Sequence, residues 1–498
     1  MKAAAIALLI AASALAQTAA TKAVPATPPQ PPVPSPSELK YPPLREVKIP
    51  DVTTFKLANG MRVYLLEHHE LPLVSGTALV RTGNLFDPPD KIGLAGLTGS
   101  LMRIGGTRTK TGDELDEQLE NIAASVESGI GETSGSVSFS CLKENTDEVL
   151  TVFRDVMADP EFRQDKLALS KLRMRSGILR RNDDADSIAN REYARYVYGP
   201  ESPYGWRMEL THLENIQRDD LIEFYRRYFF PENVMLAVYG DFEPAAMRAR
   251  IEQVFGNWAY TQPPVPAFPQ VKPQDNSGIH FASKEDVNQT FFELGHLGGI
   301  LKDKDTPALQ IMADILGGGF SSRLFQRVRT KLGYAYGIGA SWGVDYNHPG
   351  LFEVSGSTKS DTTVDTLRAV REEIERMRTT PVTDQELKTA KDTVLNSFVF
   401  AFDTPAKTLS RMLRYEYFGY PRDFIFEYQK AIAAVTKEDV LRVAKEYLHP
   451  DRMTTVAVGN PKELGKPLTE LGPVKPIDLT IPQPAKKPDT AAAPEARQ

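Results

Sequence analysis

Tyr228-Phe229-Phe230-Pro231-Glu232-Asn233-Val234-Met235-Leu236-Ala237-Val238-Tyr239-Gly240 decides how this chain is built, because the chain repeats it. Near the other end stands Tyr447-Leu448-His449-Pro450-Asp451-Arg452-Met453-Thr454-Thr455-Val456-Ala457-Val458-Gly459. Tyr228 and Tyr447, Pro231 and Pro450, and Gly240 and Gly459 are each 219 positions apart. Asp220-Leu221 and Asp439-Val440 keep the same offset. A fixed offset with the same order of elements marks an internal duplication. Each unit reads the same way. Asp219 to Tyr228 and Lys437 to Tyr447 have helical periodicity, and the proline ends the helix because it cannot continue the hydrogen-bond ladder. The short apolar runs Val234–Val238 and Thr454–Val458 read as buried strands.

Working outward, a strand is expected at Arg62–Leu66, after the turn Asn59-Gly60. Helices are expected over 112–124, 145–157, 165–181, 363–377 and 384–397. Strands and helices mix without strict βαβ alternation. The expected class is therefore α+β, with two homologous halves, each a mixed or antiparallel sheet packed with helices. A cluster of prolines at 263, 264, 266 and 269 divides them. The expected domains are 46–260 and 277–465, with a linker at 261–276 and a flexible tail at 466–498.

The N-terminus reads as an export signal. Lys2, the apolar run Ala3–Ala12 and the small-x-small pair Ala14 and Ala16 place cleavage after residue 16. The run is short for a transmembrane span, and an uncleaved anchor is the alternative. Residues 17–45 form a Pro-rich spacer. The expected location is the periplasm, or outside a cell with one membrane. The formal charge of −6 on 498 residues points to no nucleic-acid partner. No membrane span is expected after cleavage. Cys141 is the only cysteine, so no internal disulfide can form.

Asn59-Gly60-Met61-Arg62-Val63-Tyr64, Gly93-Leu94-Ala95 and Gly105-Gly106-Thr107 follow the opening order of a known family. So do Gly317-Gly318-Gly319-Phe320-Ser321-Ser322-Arg323-Leu324-Phe325 and Arg329-Thr330-Lys331-Leu332-Gly333-Tyr334-Ala335-Tyr336 in the second half. Over nearly all of residues 46–465 the chain resembles the pitrilysin/insulinase peptidases. The resemblance implies two α+β halves closing like a clam-shell around a peptide chamber. Active members carry His-x-x-Glu-His on one helix and a distal Glu on another. Two histidines four apart share a helix face and grip one zinc, and the Glu activates the metal-bound water.

Those residues are missing here. Gly96 and Ser100 fall at the histidine positions, Gly99 at the catalytic Glu and Gly177 at the distal Glu. A slip of one residue would substitute Leu97, Ser100, Leu101 and Ile178. No two of the seven histidines are three or four apart. His68-His69 sit beside Glu67 and Glu70 where a strand meets its turn, and read as solvated surface. No cofactor is therefore expected on this chain, and it is not expected to be a metallopeptidase alone.

Arg329 and Tyr336 match the family's substrate-contacting pair, with Tyr334 a less well spaced alternative for the hydroxyl. The resemblance implies that they reach substrate and the developing oxyanion across the chamber. Gly317, Gly318, Gly319 and Phe320 are expected to border the peptide site, with glycines allowing close approach or unusual dihedrals; the alternative is a helix-breaking turn. Exposed strand edges could take extended peptides as added strands. The implied function is a non-catalytic subunit that binds peptide and lends Arg329 and Tyr336 to a zinc-bearing homologue in a heterodimer. A binding scaffold with no hydrolytic role is the alternative. A third reading, an enzyme using His280 or His296 with nearby acids, has no support in spacing.

Overall fold

Six strands and eight helices follow one another from Thr53 to Phe255 in the computed structural model, which describes residues 50–484. The expected signal peptide, Pro-rich spacer and last fourteen residues lie outside the described residues. The first-half strands are β1 (Thr53–Lys56), β2 (Arg62–Glu67), β3 (Leu73–Val80), β4 (Ser125–Ile130), β5 (Gly135–Leu142) and β6 (Val234–Gly240). Its helices are α1 (Leu94–Ile104), α2 (Gly112–Asn121), α3 (Thr146–Ala158), α4 (Gln164–Leu179), α5 (Ala185–Tyr198), α6 (Leu210–Asn215), α7 (Arg218–Tyr228) and α8 (Pro244–Phe255). The second half has β7 (Gly278–Ser283), β8 (Gln289–Leu297), β9 (Gly299–Ile300), β10 (Ala335–Asp345), β11 (Pro349–Lys359), β12 (Thr454–Gly459) and β13 (Val474–Pro476). Its helices are α9 (Thr306–Gly317), α10 (Thr363–Thr379), α11 (Asp384–Ser397), α12 (Pro405–Phe418), α13 (Phe424–Ala434) and α14 (Lys437–Tyr447).

The duplication is visible in the sheets. One runs β1-β2-β6-β3-β5-β4 and the other β13-β7-β12-β8-β11-β10-β9. The repeated segments supply α7 with β6 and α14 with β12. In both, the proline starts a single 3-10 turn between helix and strand. Each sheet is mixed: β2–β6 and β7–β12 are parallel, while β6–β3 and β12–β8 are antiparallel.

Along the strands the two faces alternate. Val63 and Leu65 of β2, with Leu236 and Val238 of β6, face the helices of their own half. Tyr64 and Leu66, with Met235 and Ala237, face the other way and pack on Leu409, Leu413 and Tyr417 of α12, which belongs to the second half. The second sheet answers in kind. Val456 and Val458 of β12 and Ala282 of β7 pack on Ile188, Ala189, Tyr193 and Val197 of α5, from the first half. Each half thus lends one helix to cover the other's sheet. Two tyrosines 219 positions apart fasten the exchange. Tyr198 donates its hydroxyl to the Pro349 carbonyl at 2.9 Å, and Tyr417 donates to the Thr133 carbonyl. Where the halves meet through these helices, their contact is packed core.

The expected helices are all present within three residues of their expected ends. The exchanged helices α5 and α12 were not expected. The tail also differs. Residues 466–498 were expected to carry no structure, but Val474–Pro476 forms β13, parallel to β7, and Ile477 is buried beside α5. The physical reason is the outer edge of β7, whose backbone groups need partners that β13 provides. β13 stands where β1 stands in the first sheet. Residues 261–276 have no regular structure. They lie on the first half, with Phe268 stacked on Phe86 at 5.1 Å and the Arg81 guanidinium 4.8 Å from its ring.

One buried carboxyl group sits under the exchange. Glu293 on β8 is 4 % exposed, and its Oε2 has no hydrogen-bond partner. Burial, then the nearby Glu353 on β11 and Asp186 on α5, push its pKa up to about 8. A carboxyl group with a raised pKa stabilises the fold while protonated. Its contribution is complete below the unfolded value near 4.5 and is lost as pH rises to about 8. Glu293→Gln should therefore remove part of the alkaline destabilisation. Melting curves between pH 5 and pH 9 should show wild type falling behind the variant by an amount on the order of a few kcal/mol. Parallel pH profiles for the two proteins would contradict this.

Candidate functional site

Asp87 sets the position of α1. Its carboxylate accepts from the Gly93 and Ala95 backbone N–H groups at 2.7 and 2.8 Å, filling the orphan donors at the helix start. Burial raises its pKa to about 6 despite those bonds. α1 then packs across β4 and beside α4.

This packing separates the two possible registers of the degenerate motif. Leu97, Leu101 and Ile178 are core residues. Gly96 and Gly177 face open space: a Cβ on either would meet nothing within 4 Å. Ser100, one turn after Gly96, is half-buried. Gly96, Ser100 and Gly177 thus face outward, while Leu97, Leu101 and Ile178 face the core. Gly99 is different. A Cβ there would lie 2.3 Å from the Ile130 nitrogen and 2.6 Å from the Gly129 carbonyl carbon on β4. Ser128 Oγ, also on β4, donates to the Gly99 carbonyl at 2.6 Å. The strand backbone occupies the space that a catalytic glutamate side chain would need. Glycine at 96, 99 and 177 offers no side-chain donor, so these positions do not fit a zinc ion. Among the described residues, no group of three or more His, Cys, Asp or Glu side chains converges as a metal site.

The histidines are used structurally. His69 lies between Glu67 and Asp241, each at 2.5 Å, on an exposed edge. His280 stacks on Tyr196 at 4.0 Å, and its Nε2 lies 3.0 Å from the Asn276 carbonyl. His296 and His449 lie 5.7 Å apart, a proximity that only the tertiary fold creates. Burial lowers the His296 pKa to about 4. His348, also buried, lies 3.4 Å from both Glu132 of the first half and Asp345.

The second-half motif folds into a different kind of surface. None of Gly317, Gly318 and Gly319 takes a positive φ, so unusual dihedrals are not what glycine supplies here. Close approach is. A Cβ on Gly317 would lie 2.1 Å from the Ala340 nitrogen on β10, and one on Gly318 would strike Asp314. Gly319 is unconstrained. Arg323 is buried and holds Glu386 through two bonds, at 2.7 and 3.1 Å. Burial alone would raise the Glu386 pKa, but Arg323 and the Thr383 backbone N–H outweigh it and lower it to about 2. Arg323 thus ties the motif to the start of α11.

After Arg323 the chain winds into a π-helix, Phe325–Lys331, with Leu332 N–H bonded five residues back to Arg327. Such turns are rare and widen the helix locally. Arg329 sits on it. Its guanidinium carbon lies 4.7 Å from the Phe325 ring centroid and 4.8 Å from that of Tyr336 on β10. Phe320 meets Phe325 edge-on at 4.9 Å. Phe320 and Tyr336 are 76 % and 81 % exposed. Arg329 has no carboxylate partner among the described residues. Its faces are held by rings, which leaves its N–H edges for a ligand. Tyr334 packs against the second core, so Tyr336 presents the outward hydroxyl. The sequence reading paired Arg329 with Tyr336 but missed Phe325, whose only signal was its spacing four residues before Arg329.

Two family models match the chain: "Insulinase (Peptidase family M16)" over residues 63–192 and "Peptidase M16 inactive domain" over 215–394. An uncharacterized zinc protease of Rickettsia bellii is 25% identical over 352 residues, 70% of this chain and 82% of that protein. A non-peptidase homolog, YmxG, of Helicobacter pylori is 24% identical over 412 residues, 80% of this chain and 91% of that one. Among solved structures, a peptidase M16 inactive domain from Pseudomonas fluorescens superposes with TM-score 0.74 at 23% identity, covering 82% of this chain and 98% of that one. The periplasmic protease PqqL of Escherichia coli superposes with TM-score 0.70 at 14% identity, over 85% of this chain and 47% of PqqL.

The glycines can be tested by their packing. Gly99→Ala should destabilise the protein by about 1–3 kcal/mol, through overpacking against β4. Gly96→Ala and Gly177→Ala should be neutral or stabilise by ~0.5–1 kcal/mol, because open helix positions favour alanine. Urea unfolding of the three variants measures this. Equal effects at all three sites would contradict the assignment of faces.

Proposed function

We propose, from the premise that the chain belongs to the M16 peptidase family, that it is a non-catalytic member which binds peptide and lends Arg329 and Tyr336 to a zinc-bearing homologue. The observation that carries this reading is the contrast between the halves. The first half has glycine at three of the four positions where catalytic members hold or use the metal, and β4 fills the space beside Gly99. The second half keeps an arginine and a tyrosine at the surface, stacked and, among the described residues, without an acidic partner. A surface arginine with no structural ion pair suits a ligand carbonyl or oxyanion.

The exchanged helices support the need for a partner. They fill the contact between the two halves. A peptide chamber would then form between this chain and a second body, in a heterodimer. The metal and the water it activates belong to that partner. This chain's own contribution is to hold the substrate backbone through the Arg329 N–H groups and the Tyr336 hydroxyl, on a surface pre-ordered by Phe325.

Export to the periplasm is part of the proposal. It rests on the N-terminal sequence and on the likeness to PqqL, a periplasmic protease. Among the described residues, no helix is long and apolar enough to cross a membrane. The second reading is a peptide-binding scaffold with no hydrolytic role. The name of the Helicobacter pylori relative, a non-peptidase homolog, favours it.

Co-purification with a His-x-x-Glu-His homologue from the same genome, followed by a peptide-cleavage assay, tests the proposal. The lone chain should be inactive and the pair active. Arg329→Ala should lower kcat of the pair by about 10²–10³-fold, as expected for a lost oxyanion donor, and Tyr336→Phe by a smaller factor. A pair whose activity ignores both substitutions, or a lone chain that cleaves, would sink the subunit reading. Peptide binding without cleavage in either sample favours the scaffold.

A further inference from the structure

The internal duplication shows what a solvated surface looks like at equivalent positions. The inward positions Leu167, Ser170 and Met174 of α4 match Leu387, Ala390 and Val394 of α11. That alignment sets Leu169 against Thr389 and Leu172 against Asp392. The solvent face of α11 is polar at these places. On α4, Leu169, Leu172 and Leu179 are all exposed, Leu172 by 63 %. Their spacing puts them in one stripe. Arg173 and Arg180 flank it on one side and Arg175 on the other. Arg173 has no ion pair among the described residues, Arg175 reaches Glu214 only at 4.0 Å, and Arg180 is held by Asp183 at 2.9 Å.

A second patch departs from the repeat in the same direction. Leu73 and Leu142 are cross-strand partners at the end of β3 and β5, and the matching pair of β8 and β11 is Gln289 and Lys359. Both leucines are exposed, and Leu71 beside them is 59 % exposed. The rim carries Glu67 and Glu70, which contact His69 and His68, and Glu144, which has no ion pair among the described residues. Lys143, the nearby cation, is engaged by Asp241 at 2.8 Å.

We propose that these two patches are mates, and that copies of this chain associate head to tail through them. α4 of one copy would lie on the β3/β5 corner of the next. Both patches are apolar only in the first half, and their rims carry opposite charge. Charge also argues against each patch pairing with itself. An α4-on-α4 contact would oppose Arg173 and Arg175 to their own copies, and a corner-on-corner contact would oppose Glu144 to its own copy. Three leucines are too few for a stable contact, which buries about 800 Å² on each partner. They form its apolar centre, with the Arg and Glu rims around it. Such a contact joins unlike surfaces, so it builds rings or open chains. It uses neither Arg329 nor Tyr336, so it stands or falls separately from the proposed subunit role.

Sedimentation of the purified chain over roughly 1–100 µM tests this. Wild type should associate with rising concentration. Leu172→Asp and Leu142→Lys each install the residue that the second half already carries, and each variant alone should stay monomeric. An equimolar mixture of the two should form a dimer and stop there, because each retains one working surface and lacks the other. Should either variant melt below wild type, Arg173→Glu with Glu144→Arg replaces the pair: each alone weakens association, and mixing restores it. A wild type that stays monomeric throughout, association untouched by either substitution, or Leu142→Lys pairing with itself would overturn the proposal.

Discussion

Everything in this structure depends on two helices that cover sheets they do not belong to. The strands β6 and β12 are apolar on both faces: β12 is buried from end to end, and β6 nearly so. Here the helices of each half cover only one face of their own sheet. The other face would meet water at a cost of about 25 cal/mol per Å² of apolar surface. α5 and α12 remove that cost reciprocally, each crossing to the other sheet. Tyr198 and Tyr417 then place their hydroxyls on hairpin carbonyls of the opposite half. Neither half has a complete core without the other.

This constraint also shapes the site. The contact between halves is packed, and the groups proposed to meet a ligand, Arg329 and Tyr336, sit on outer elements of the second half. There, Gly317 lets α9 end against β10, and Arg323 anchors the following turn to Glu386. The π-helix between these anchors brings Phe325 under Arg329. In the first half, the equivalent helix α1 has used the same freedom differently. With no metal side chains to accommodate, Gly99 sits directly on the β4 backbone. Glycine at 99 brings no metal-binding side chain and permits this tight helix–strand packing.

The duplication has diverged unevenly. Equivalent positions on α4 and α11, and on the ends of β3–β5 and β8–β11, keep their backbone roles but exchange leucine for polar residues. Backbone pairing and inward packing tolerate little change, since a shift would move whole strands to the wrong face. Outward positions are free to change, and there the two halves carry different chemistry.

Most of the framework was legible in the chain. The repeat at 219 residues, the helices with one clear apolar stripe and the strands before Gly240 and Gly459 are local patterns, and local periodicity reports them directly. The glycines at 96, 99 and 177 and the serine at 100 are plain from residue identities. What stayed hidden depends on contacts between distant segments. α5 and α12 were missed because their apolar faces match sheets in the other half. β13 was missed because three residues gain strand structure only from the free edge of β7. The outward facing of Gly96 and Gly177, the exclusion at Gly99 and the stacking of Phe325, Arg329 and Tyr336 were likewise decided in three dimensions. The sequence by itself determined which elements form and which chemical groups the chain owns. The tertiary structure decided which groups meet, because burial and edge pairing act between residues that the sequence holds hundreds of positions apart.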